Sequence, residues 1–152
     1  MNRVLFDSPL GKLLIAEENG YLREISFFNE KPFFTQKESR VILETEMQLT
    51  EYFSLKRKTF ELPLKPQGTD FTLLVWKALQ SIPYGKTCTY SHIAEMLGNK
   101  KASRAVGLAC HANPIAIVIP CHRVIGANGK LVGYNAGINT KDMLISLEKQ
   151  GL

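Results

Sequence analysis

One stretch limits how this chain can fold more than any other: Pro114-Ile115-Ala116-Ile117-Val118-Ile119-Pro120, followed at once by Cys121-His122-Arg123. Three isoleucines and a valine within five residues call for burial, and β-branched side chains favour an extended backbone. The run predicts a buried strand bounded by two prolines. Pro120 has no N–H to give to a sheet, so the strand ends there and Cys121 stands at its tip. A cysteine followed by a histidine at the end of a buried element is a candidate nucleophile with a candidate base.

The rest of the 152-residue chain bounds what that cysteine serves. Hydrophobic residues make up 45%, enough for a real core, and no apolar run approaches the roughly 18 residues of a membrane helix. No basic-then-apolar leader opens the chain, so a soluble, cytoplasmic protein is expected. The net charge of +5 is unevenly placed. Residues 1–64 hold nine Lys/Arg and ten Asp/Glu, a balance of −1, whereas residues 65–152 hold ten Lys/Arg and four acids, a balance of +6. A basic second half suits a polyanionic partner, and it equally suits an ordinary solvated face. The three cysteines, Cys88, Cys110 and Cys121, form no CxxC pair and no metal-ligand spacing, so neither a disulfide framework nor a metal site is expected.

The first half carries strand signals. Val4-Leu5-Phe6, Leu13-Leu14-Ile15-Ala16 and Tyr21 to Phe28 are separated by Ser8-Pro9-Leu10-Gly11 and by Asn19-Gly20, the strongest short hairpin signal. From Ser39 to Phe53, apolar residues recur at helical spacing, and Phe60, Leu62 and Leu64 alternate as a further strand. No nucleophile, histidine or phosphate loop occurs here, so residues 1–64 read as a structural domain. Leu64-Lys65-Pro66-Gln67-Gly68 reads as the linker to a second domain, residues 65–152.

The second half reads as helices. Phe71, Leu74, Val75, Ala78, Leu79 and Ile82 share one face, with Thr69 or Asp70 as cap. A helix from about Thr89 to Leu97, a stop at Gly98 and a helix from about Lys101 make a candidate helix-turn-helix. In the second of these helices Ala102, Ser103, Ala105, Gly107 and Ala109 are small and Arg104 is the one large residue in the first two turns. Such a surface lets a backbone approach a partner closely, with Arg104 entering a groove; taken alone, packing on a neighbouring helix is the commoner use of small residues. A last helix, about Thr140 to Lys149, places Met143, Leu144 and Leu147 on one face. It carries Glu148 in its final turn, where a carboxylate opposes the helix dipole and hints at a tertiary partner.

A nucleophilic cysteine must be a thiolate, which needs a base or a positive field. His122 is adjacent to Cys121, so a bridging water suits the pair better than direct contact, and Glu148 could orient the imidazole. Cys88 and Cys110 lack such settings and read as small buried hydrophobes.

Ile119-Pro120-Cys121-His122-Arg123-Val124 resembles the active-site signature of the O6-alkylguanine-DNA alkyltransferases, also called methylated-DNA--protein-cysteine methyltransferases. The resemblance continues in order through Ile82-Pro83-Tyr84-Gly85, Thr89-Tyr90, Ser103-Arg104-Ala105-Val106-Gly107, Asn113-Pro114, Gly133-Tyr134 and the Lys141 to Glu148 helix. It is looser at Ser8-Pro9-Leu10-Gly11 and Glu51-Tyr52-Phe53. It implies an α+β protein: a small ribonuclease-H-like sheet-plus-helix N-terminal domain, then a mostly helical, winged-helix-like C-terminal domain. It also implies a single-turnover transferase without cofactor. Cys121 would take the alkyl group from guanine O6 in duplex DNA, O4-alkylthymine being a further possible substrate. His122 and Glu148 would sustain the thiolate through water, Tyr90 would donate a proton toward guanine N3, and Asn113 would support the hinge before the active-site segment. Arg104 would occupy the place of the flipped nucleotide, with Ala102, Ser103, Ala105 and Gly107 along the minor groove. Val124, Tyr134, Asn135 and Ala136 would line the pocket, and Arg123 would be structural. A monomer is expected, with cooperative binding along DNA left open.

Two departures stand out. Ala136 takes a place where many relatives carry glycine, and the first half lacks the Cys/His zinc set of some relatives. Two other readings compete with the repair function: a cysteine hydrolase or acyltransferase using Cys121 and His122, and a DNA-binding regulator without chemistry.

Overall fold

The computed structural model describes residues 1–27, 38–134 and 136–152. The fold is α+β, and its contacts separate two units: Met1–Gln67 with Pro114–Ala116, and Gly68–Asn113 with Ile117–Leu152. Among the described residues no helix is long and apolar enough to cross a membrane.

The first unit is built on an antiparallel meander of β1 (Asn2–Ser8), β2 (Gly11–Glu18) and β3 (Tyr21–Phe27). Asn19 and Gly20 both take positive φ, 54° and 84°, as the tight hairpin turn between β2 and β3 requires. Phe28, expected in the third strand, lies outside the described residues. Helix α1 (Arg40–Phe53) starts where Ser39 Oγ accepts the Ile42 N–H at 3.2 Å. It buries Val41, Ile42, Leu49 and Tyr52, and in the same unit Leu13, Ile15, Leu22 and Ile25 are fully buried.

The expected strand over Phe60–Leu64 contracts to a single bridge from Leu64 to Leu22. Pro63 cannot donate to a ladder but its carbonyl accepts from Leu22 N at 2.8 Å, and Lys65 N donates to Leu22 O at 3.0 Å. The first two residues of the expected linker thus belong to the sheet's edge. The side chain of Gln48 on α1 clamps the segment by bonding both Glu61 O (3.0 Å) and Glu61 N (2.9 Å).

The proline-bounded run is not a strand. Only Ile115 bridges, to Ile25, with Ile25 N donating to Pro114 O and Ala116 N to Ile25 O, both at 2.9 Å. The chain then turns, and Ile117 sits at φ 72°, a costly conformation for a β-branched residue. Ile115, Ile117 and Ile119 are all fully buried, which is what the apolar run specified; burial of so short a run does not fix its backbone.

The second unit holds α2 (Asp70–Leu79), α3 (Tyr90–Met96), α4 (Ser103–His111) and α5 (Ile138–Gln150). A parallel two-stranded pair joins β4 (Cys88–Thr89) to β5 (Val124–Ile125). Thr69 caps α2 and Thr89 caps α3, each accepting the N–H three residues on. The buried face of α2 is Val75, Trp76 and Leu79, whereas Phe71 and Leu74, expected inward, are exposed. Trp76 turns the helix, because its indole Nε1–H reaches the Ala109 carbonyl of α4 at 2.8 Å. A 3₁₀ turn, Lys100–Ala102, separates α3 from α4, completing the helix-turn-helix.

Candidate active site and nucleic-acid interface

Cys121, His122 and Arg123 form one 3₁₀ turn after Pro120, closed by Arg123 N donating to Pro120 O at 3.0 Å. Three residues per turn send three consecutive side chains in three directions. Cys121 faces Asn113, and His122 and Arg123 meet at Glu148 on α5. All three are buried, His122 completely.

Among the described residues, His122, Arg123 and Gly85 donate to Glu148. His122 Nε2 lies 2.6 Å and Arg123 Nη2 3.0 Å from Oε2; Arg123 Nε lies 2.8 Å and Gly85 N 3.1 Å from Oε1. Arg123 also donates Nη1–H to Ile82 O at 2.7 Å. The Ile82-Pro83-Tyr84-Gly85 turn thereby offers one carbonyl to the guanidinium and one N–H to the carboxylate. Gly85 is at φ 76°, a backbone that favours glycine, and a Cβ there would push on the Leu152 side chain at 2.7 Å. Burial raises the Glu148 carboxyl, but hydrogen bonds and charge from His122 and Arg123 outweigh it and hold the group well below the ordinary carboxylate range.

The carboxylate fixes the state of its partner. An ionised Glu148 only accepts, so His122 donates Nε2–H, and burial keeps the imidazole neutral by lowering its pKa. The lone pair is therefore on Nδ1, a buried atom with no protein hydrogen-bond partner. The site contains a base oriented by an acid.

Asn113 Nδ2 donates to Ile119 O at 2.8 Å and to Cys121 Sγ at 3.1 Å. Burial pushes the Cys121 thiol up, opposed by the Asn113 hydrogen bond, the Lys141 charge and a backbone hydrogen bond. Cys110 is pushed up to about 12 by burial and by Cys121, so it is the inert neighbour. All three cysteines are free.

Lys141 and the manner of Arg123's engagement are what sequence reasoning missed. Lys141 is fully buried, with Nζ 2.8 Å from Val132 O and 3.3 Å from Tyr90 Oη. Tyr90 Oη donates to Val132 O at 3.0 Å, and burial first, then Cys110 and Cys121, raise its pKa to about 12. The buried face of α5 is Lys141, Leu144, Ile145 and Glu148; Met143, expected inward, is half exposed. Two charged residues on that face hid it from apolar periodicity, although the seven-residue spacing from Lys141 to Glu148 marked it.

Tyr90 also lines a groove of about 660 Å³, with Ser103, Arg104, Gly107, Val132 and Gly133 among its walls. Ala102 and Ala105 are not among its lining residues. Val124 is fully buried in β5, paired with Cys88. The Tyr134 phenol is raised well above its ordinary value by burial first and then by the charges of Cys121 and Glu148. Ala136 stands before α5, its carbonyl accepting from Thr140 Oγ1 at 3.0 Å. Asn135 lies outside the described residues.

The chain is similar to known proteins in sequence and in fold. The ribonuclease-like domain of 6-O-methylguanine DNA methyltransferase matches residues 1–66, and the DNA-binding domain of the same family matches residues 70–150. The chain is 47% identical over 153 residues to the methylated-DNA--protein-cysteine methyltransferase of Methanosarcina acetivorans, covering 97% of this chain and 98% of the relative. The crystal structure of the Mycobacterium tuberculosis O6-methylguanine methyltransferase superimposes with a TM-score of 0.91 at 42% identity, over 99% of this chain and 94% of that one. A structure of the M. tuberculosis OGT protein in complex with DNA gives 0.92 at 42% identity, with the same coverage.

Proposed function

The chain belongs to the 6-O-methylguanine DNA methyltransferase family, and from that premise we propose that each of its reactive residues acts in direct reversal of DNA alkylation. The substrate is O6-alkylguanine in duplex DNA. His122 Nδ1 takes the Cys121 proton through one water, and the thiolate attacks the alkyl carbon in line with its bond to O6. The S–C bond forms as the C–O bond breaks, and the electron pair leaves on guanine O6. Tyr90 gives its phenolic proton to guanine N3, so the purine departs neutral, and the Lys141 ammonium reprotonates the tyrosinate. The thioether has no route back, so each molecule acts once.

The base must leave its stack for sulfur to approach O6 along that line. Arg104 on α4 fills the vacated place, and Ser103 and Gly107 let the helix backbone near the minor groove. Tyr134, Ala136 and the main chain of Val124 border the pocket. A reduced thiol and a DNA substrate suit a cytoplasmic monomer.

The single observation that carries the reading is the His122–Glu148 contact of 2.6 Å beside a cysteine already hydrogen-bonded by Asn113. Incubation with a duplex carrying O6-methylguanine should add one methylene mass to the peptide bearing Cys121. An unmodified peptide, or an adduct persisting elsewhere in Cys121→Ala, would sink the reading.

A further inference from the structure

Leu108 is the most exposed large apolar side chain among the described residues, at 67%. Single exposed leucines are ordinary on protein surfaces. This one is set apart by its place. It lies one helical turn after Arg104 on α4, and His111 follows at the next turn, so the three form one stripe along the wall of the 660 Å³ groove. Around them the groove is lined by small or polar residues such as Thr89, Ser91 and Ser103, with Ala127 and Val132 as the other aliphatic side chains. Lys100 and Lys101, both exposed, precede α4; Lys100 lies 3.7 Å from Glu95 Oε1, which leaves Lys101 and Arg104 as the net positive charge there. The basic surroundings favour a polyanion as the occupant over a second copy of this basic chain.

We propose that Leu108 is a further DNA-contacting residue, an apolar brace that packs against the deoxyribose wall of the minor groove beside the nucleotide displaced by Arg104. The inference rests on the reading that α4 enters that groove. Four residues of helix advance about 6 Å, and bases rise about 3.4 Å per step, so Leu108 meets the duplex within about two steps of Arg104. The minor-groove wall there is carbon and hydrogen of the sugars, which an isobutyl group covers while excluding water. Apolar wedges beside a kinked step keep the groove open, and Leu108 serves that part while Arg104 supplies the charge.

The two contributions separate by salt. In a Cys121→Ala background, which binds without reacting, Leu108→Ala should weaken affinity for an O6-methylguanine duplex about tenfold, from the lost apolar burial. The slope of log affinity against log salt should stay unchanged, whereas Arg104→Ala should lower both affinity and slope. With Cys121 intact, Leu108→Ala should react with free O6-methylguanine base at the parental rate, and Leu108→Met should restore duplex binding. Alanine suits an exposed helix position, so the fold is retained. If Leu108→Ala binds duplex as the parent does while Arg104→Ala is impaired, the brace does not exist. If neither variant is impaired, the placement of α4 itself is wrong. Slower reaction of Leu108→Ala with the free base, or a parental dimer that Leu108→Ala dissociates in sedimentation, would also overturn the proposal.

Discussion

His122 gives its Nε2 hydrogen to Glu148 across 2.6 Å, in surroundings where neither side chain is more than 1% exposed. The same carboxylate is held from its other side by Arg123, so a base, a cation and an anion share one buried knot. Removing the anion leaves the cation without a counter-charge and the base without an orienting partner.

Glu148→Gln should therefore damage stability and chemistry together. Its amide must turn an N–H toward Arg123, Gly85 or His122, each of which is a donor at present. Breaking a buried ion pair costs about 3–5 kcal/mol, which lowers the urea midpoint, and loss of an oriented base slows transfer about 10²-fold or more. Unfolding in urea and single-turnover kinetics on an O6-methylguanine duplex measure the two effects. A variant as stable as the parent would show that Arg123 does not depend on Glu148.

Stability should peak between about pH 6.5 and 8.5. His122 is held neutral when folded, so below its unfolded value near 6.5 the unfolded chain binds the extra proton and stability falls. Glu148, depressed when folded, contributes above its unfolded value near 4.3 and loses that contribution as pH falls further. Cys110 and Cys121 are raised when folded, so the unfolded chain loses protons first on the alkaline side and stability falls from about pH 8.5 upward. Urea midpoints across pH 4 to 10 should trace this dome, and a midpoint constant from pH 7 down to 5 would contradict the neutral, buried His122.

The residues most legible in the sequence were those whose chemistry is local. The Asn19-Gly20 hairpin and the Thr69 cap of α2 are each written within a few positions. The Ile115–Ile119 run declared its burial but not its shape, because a buried turn and a buried strand need the same apolar residues. Lys141 and Arg123 were harder to read since a charged side chain in sequence looks solvated; their partners, Tyr90, Val132 and Glu148, lie 9 to 51 positions away. On α2 the apolar spacing correctly placed Val75, Leu79 and Ile82 inward, but not Phe71 and Leu74, which are exposed because Trp76 follows its bond to Ala109, 33 residues on.

Lys141→Met should raise the reactive pKa of Cys121. The lysine charge favours the thiolate, and methionine keeps the length without the charge. Tyr90 retains its bond to Val132 O at 3.0 Å, so the substitution need not displace the phenol. Alkylation of Cys121 by iodoacetamide, followed by mass spectrometry across pH 6 to 10, should show its inflection at higher pH in the variant. The rate at neutral pH should fall, because less of the thiol is ionised there. An unmoved inflection would confine Lys141 to a packing role.

Asn113 separates shape from charge at the sulfur. Its Nδ2 group serves Ile119 O at 2.8 Å and Cys121 Sγ at 3.1 Å, so Asn113→Ala and Asn113→Asp both lose the bond to the carbonyl. They differ at the sulfur. Alanine withdraws a donor to a developing anion, worth about 1.5–3 kcal/mol, or roughly 10- to 10²-fold in thiolate population. Aspartate puts a negative charge beside the same atom and disfavours the thiolate further. Alkyl transfer should therefore be slower in Asn113→Asp than in Asn113→Ala although aspartate is nearer to asparagine in shape. Measured at pH 7 on an O6-methylguanine duplex, the reverse order would mean that Asn113 acts by holding the backbone and not by stabilising the thiolate.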